Sequence, residues 1–129
     1  MAKSIDLFVD AKVPLVIFAR EIEGLLGVKL QRVLEAGETW YEFRDDHIAL
    51  TVGEHDFEND RDMNFRDYRY HLSIRALNIA TEEERKTWRE GFARFAFEKL
   101  KSTGKYGLLL VEDIQKRLDE FRPEPAQRL

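Results

Sequence analysis

Residues Tyr68 to Ala76 read YRYHLSIRA, and this run constrains the fold more than any other stretch of the chain. Tyr68, Tyr70, Leu72, Ile74 and Ala76 alternate without a break with Arg69, His71, Ser73 and Arg75. A period of two belongs to an extended strand with one apolar and one polar face. Such a strand needs neighbours to pair with and a second layer to cover its apolar side.

The neighbours are legible on both sides. Ile5, Leu7 and Val9 alternate with Asp6, Phe8 and Asp10 as a first strand. Val28, Leu30 and Leu34 lead to the turn EAGE, Trp40, Tyr41 and Phe43 lead to RDD, and Ile48, Leu50 and Val52 follow, which reads as a three-stranded meander. Tyr106 to Val111, YGLLLV, is apolar on both sides, as a central strand is.

The covering layer is helical. Pro14 fits a first turn, Leu15, Phe18, Ile22, Leu25 and Leu26 recur at helical spacing, and Gly27 supplies a left-handed stop. Thr81 to Glu84, TEEE, is a capping box that opens a long helix ending at Gly104. Its apolar stripe is Trp88, Phe92, Phe95, Ala96 and Leu100, widened by Ala93 and Phe97, which places Phe95 and Leu109 in one helix–sheet core. Ile114, Leu118 and Phe121 at i, i+4, i+7 predict a short last helix. The expectation is therefore an α+β fold, β-α-β-β-β-β-α-β-α, with a mixed, mostly antiparallel sheet, helices on one face and the other face open. One domain spans 1–121, and the tail 122–129, RPEPAQRL, is expected to fray.

A chain of 129 residues, 43% of them apolar, can bury roughly 70% of its unfolded surface in one core. With no cysteine, no disulfide or thiolate site exists. The N-terminal MAKSIDLFVDAKVP lacks the apolar region of a signal peptide, and no run approaches the ~18 apolar residues of a membrane span, so a cytoplasmic, membrane-free protein is expected. The net charge of −4 disfavours nucleic acid and favours a basic partner.

The segment Gly53–Tyr68, GEHDFENDRDMNFRDY, fits neither period. It sets Glu54, Asp56, Glu58, Asp60, Asp62 and Asp67 against Arg61 and Arg66 only. A metal site, a catalytic carboxylate cluster and a surface for a basic partner all fit that composition. As a calcium loop the match is partial, because Arg61 stands where Gly makes the turn and Asp67 where a bidentate Glu is needed. A carboxylate pair for acid–base chemistry needs a buried member, and only Phe57, Met63 and Phe65 could frame one. His47, His55 and His71 lack metal-ligand spacing, and no nucleotide loop or nucleophile elbow is present. No cofactor and no metal is expected. Loops of about 15 residues tend to be functional or disordered, and one that mixes Phe57, Phe65 and Tyr68 with acids has the makings of a binding surface, with aromatic anchors inside a charged rim. The outer residues of the 68–76 run, Arg69, His71 and Arg75, could line an open sheet face beside Trp40, Glu42 and Thr51.

The strand IDLFVD, the helix PLVIFAREIEGLLG, the meander, the run HDFENDRDMNFRDYRYHLSIRAL, the capped helix and the closing GLLLVEDIQKRLDEF together cover residues 5–121. This layout resembles small acidic immunity proteins that accompany bacterial polymorphic or contact-dependent growth-inhibition toxins. The resemblance implies a cytosolic protein without catalysis that binds a cognate toxin domain, often a basic nuclease. It implies contacts through Glu54, Asp56, Glu58, Asp60, Asp62 and Asp67, with Phe57, Phe65 and Tyr68 as anchors. The alternative is a small enzyme or ligand-binding domain that uses the same acidic loop.

Overall fold

The computed structural model describes residues 4–123. They form β1 (Ile5–Asp10), α1 (Leu15–Leu26), β2 (Gln31–Glu35), β3 (Glu38–Arg44), β4 (Ile48–Glu54), β5 (Tyr70–Ala76), α2 (Glu82–Ser102), β6 (Gly107–Glu112) and β7 (Lys116–Phe121), with a 3-10 turn at Phe65–Asp67 before β5. The strands make one sheet in the order β2-β3-β4-β5-β1-β6-β7. The fold is α+β as expected, and every pairing in the sheet is antiparallel, so no part of it is mixed.

Both helices lie on one face. The alternation of β1, β5 and β6 turns Ile5, Leu7, Val9, Tyr70, Leu72, Ile74, Leu108 and Leu110 towards them, and all are buried. From α1 the core takes Phe18, Ala19, Ile22 and Leu26. The helix stops where Gly27, at φ 69, donates its N–H to Glu23 O. In α2, Thr81 Oγ accepts from Glu84 N at 3.1 Å and caps the first turn.

The buried stripe of α2 differs from the expected one. Ala93, Ala96, Phe97 and Leu100 face the sheet, whereas Trp88 is 44% exposed and Phe95 40% exposed. The small side chains at 93 and 96 let the helix approach the sheet closely, and that seam turns Phe95 outward. Trp88 stacks instead on His47 with ring centroids 4.3 Å apart. Arg89, on the buried side, is neutralised by Glu82 Oε1 at 2.9 Å.

The expected last helix is a strand. Asp113 and Ile114 both have positive φ, 52 and 58, and Gln115 N donates to Glu112 O, which closes a type I′ turn between β6 and β7. A β-branched residue is rare in that conformation. Ile114 packs against a second apolar cluster, and Asp113 exchanges hydrogen bonds with Ser4, so tertiary contacts offset the strain. Of the tail expected to fray, 124–129 lies outside the described residues. Arg122 is held in the fold: it pairs with Asp10 at 3.0 Å and lies across Gly107, where an added Cβ would come within 2.3 Å of Nη1.

The second face of the sheet is not open throughout. Phe8, Leu109 and Val111 project from it and are covered by Met63, Phe65 and Tyr68 of the acidic segment, all six buried. Leu109 is thus buried as expected, in this second core and not in the one beneath the helices.

Candidate functional site

The acidic segment 54–69 folds as a lobe over β1 and β6. Burial of its own apolar residues drives this, since Phe65 and Tyr68 are each 1% exposed and Met63 3%, and each such side chain contributes about 1.5–3 kcal/mol. Phe8 lies beneath the lobe with its ring 4.7 Å from Phe65 and 5.8 Å from Phe57. Phe65 and Tyr68, expected as partner anchors, are core residues in this fold and present no free surface to a partner. The lobe aromatic that does reach solvent is Phe57, 36% exposed.

Local polar contacts set the shape of the lobe. Asp60 and Met63 exchange both backbone hydrogen bonds around Arg61 and Asp62, which take φ 50 and 63. Asn59 Oδ1 accepts from Arg66 N at 2.9 Å, and Arg117 of β7 donates to Asp62 O at 2.7 Å. His55 Nδ1 accepts from Phe57 N at 3.1 Å, which leaves Nε2 as the donor to Tyr68 O at 2.6 Å. Burial lowers the His55 pKa from its ordinary 6.5 and outweighs the Tyr68 carbonyl, which raises it; His71 adds a smaller lowering and Asp56 a smaller raising. Tyr68 O–H is buried with the Arg122 guanidinium beside it and makes no well-formed hydrogen bond among the described residues. Its pKa is raised by that burial, although the nearby Arg122 guanidinium, 4.7 Å from the ring centre, favours the phenolate.

Glu54, Asp56, Glu58, Asp60, Asp62 and Asp67 are all exposed and are brought together on this one lobe. Arg69, Arg66 and Arg61 partner Glu54, Glu58 and Asp60 at 3.8, 3.4 and 3.5 Å, so the lobe keeps a net charge of −3. Among the described residues no three His, Asp or Glu side chains converge as metal ligands. Nor does any lobe carboxylate enter the apolar base.

Beside the lobe, a groove of about 1130 Å³ runs between the first turn of α1 and the β2–β3 hairpin, bordered by Glu54, Trp40, Gly53, Glu38 and His71. His71 is fixed from below by Asp6, 2% exposed, whose Oδ1 lies 2.7 Å from Nε2 and whose Oδ2 accepts from Ser4 Oγ at 2.7 Å. The sequence reading passed over Asp6, although Phe8 on the nominally polar side of β1 signals that this side is covered. It gave the hairpin acids Glu35 and Glu38 no role beyond the turn, and placed Glu42 only beside the open sheet face. Arg69 and His71, expected as a basic strip, are each engaged by an acid.

No helix among the described residues is long and apolar enough to cross a membrane. No protein-family model, no curated protein and no solved structure matches this chain.

Proposed function

We propose that this chain is a non-catalytic binding protein of the immunity type, which neutralises a cognate basic toxin domain of the nuclease class by setting its acidic lobe against the toxin's phosphate-binding surface. One observation carries the reading: six exposed carboxylates stand on a lobe whose underside is a packed apolar core. A solvated linker would have to be ordered on binding, at about 0.5–1.5 kcal/mol per immobilised side chain, whereas a preformed lobe is spared much of that cost. Phe57 offers an aromatic contact inside the charged rim.

The test is cellular. Co-expression with a candidate basic toxin domain is expected to restore growth, and the Asp56, Glu58, Asp60 and Asp62 quadruple amide variant is expected to lose protection. Killing of cells that express the parent chain would remove the reading for that pair.

A second reading, a ligand-binding or enzymatic domain, draws on the Asp6-oriented His71 at the groove wall. Movement of the His71 ring resonances on addition of small polar ligands, with no protein partner, would favour it.

A further inference from the structure

The sheet has two edges, and they are treated differently. The β7 edge carries Lys116 and Arg117, follows a register shift at Leu110/Val111, and is tied to the lobe by Arg117. Cations and bulges are the usual protections of a sheet edge. The β2 edge, QRVLE, has one cation, Arg32, but no lysine, proline or bulge, and shows Leu34 at 65% exposure.

The hairpin geometry identifies the unused backbone groups. Ala36 and Gly37 both have positive φ, 51 and 82, a two-residue type I′ turn, so Glu35 and Glu38 form the bonded closing pair. Bonded pairs then alternate to Val33–Trp40 and Gln31–Glu42. The N–H and C=O groups of Arg32 and Leu34 therefore point away from β3, towards the side where β2 has no neighbouring strand.

Charge indicates what fits there. On the face away from the helices, Glu35, Glu38 and Glu42 surround Val33 and Trp40. Glu35 lies directly opposite Glu38, an unfavourable like-charge pair. Neither side chain has a partner among the described residues, and Glu42 accepts only from Trp40 Nε1. We infer that β2 is a docking edge for an extended, Lys- or Arg-bearing segment of the basic protein partner, which adds an eighth strand on Arg32 and Leu34 and sets its cations against Glu35 and Glu38. This rests on the reading of a basic partner given above. The groove, lined by Arg32, Glu38 and Glu54, runs from beside the β2 edge to the start of the lobe.

Hydrogen exchange on the complex with the candidate basic toxin domain tests it. The Arg32 and Leu34 amides are expected to exchange at least tenfold more slowly in the complex than in the free chain. Leu34→Pro removes an outward N–H while leaving the β2–β3 bonds intact, and should speed dissociation at least tenfold. The Glu35→Lys/Glu38→Lys double variant should do the same, and it decides the matter if Leu34→Pro melts early. A complex with unprotected β2 amides and unaltered dissociation of a folded variant overturns edge docking and leaves the basic-partner reading standing. Absence of any complex overturns both. Concentration-dependent β2 protection in the chain alone assigns the edge to a second copy and overturns the inference.

Discussion

Phe57 and Phe65 stand eight residues apart in one acidic segment and have opposite duties. Phe65, buried against Phe8, holds the lobe down. Phe65→Ala should cost about 3–5 kcal/mol, measured by denaturant unfolding. Phe57→Ala should cost roughly 1 kcal/mol and chiefly speed dissociation of the partner complex, because a partly exposed ring is spared the full cavity penalty. Tyr68 differs again: among the described residues its buried hydroxyl makes no well-formed hydrogen bond, with the Arg122 guanidinium beside it, so Tyr68→Phe should melt at or above the parent temperature. A drop in melting temperature would show that the hydroxyl does have a partner. In the sequence all three rings look alike, since each sits in a run of acids with no period to assign it a side. Tertiary cover decides which is core, and the signal for that cover lies elsewhere, at Phe8 in β1.

At the scale of elements, period-two strands and capped helices were readable because burial of one face imposes them. Thr81 and Gly27 end helices by local chemistry alone. The orientation of α2 was not readable, because Trp88, Phe92 and Phe95 compete with Ala93, Ala96 and Phe97 for the apolar side. Close approach through alanines settles it, so Phe95→Ala should change stability by less than about 1 kcal/mol while Ala96→Leu costs about 1–3 kcal/mol by overpacking. β7 was hidden because Ile114 in a left-handed turn mimics a helical apolar position. The lobe has its own pH dependence. His55 is neutral in its buried site and its folded pKa lies below the ordinary 6.5, so the unfolded lobe binds more protons and the stabilisation is present above pH 6.5. It is lost as pH falls from 6.5 through the folded value. The protection of amides within 55–68, taken relative to the intrinsic exchange rate at each pH, should fall between pH 7.5 and 5.5, and less so in His55→Gln.

Across the whole molecule, the sheet divides its labour. One face is closed by α1 and α2, and the other is closed over β1 and β6 by a lobe that turns its acids outward, leaving the β2–β3 end exposed. Charge of one sign on an ordered surface acts mainly on encounter, over a Debye length of about 8 Å at physiological salt. The association rate of the chain with its basic partner, measured across ionic strength, is therefore the direct test. For the parent the rate should fall steeply as salt rises. For the variant with Asp56, Glu58, Asp60 and Asp62 neutralised it should start at least tenfold lower and lose most of that salt dependence, with dissociation little altered. An unchanged association rate and salt slope in that variant, folded to the parent's melting temperature, would contradict the account.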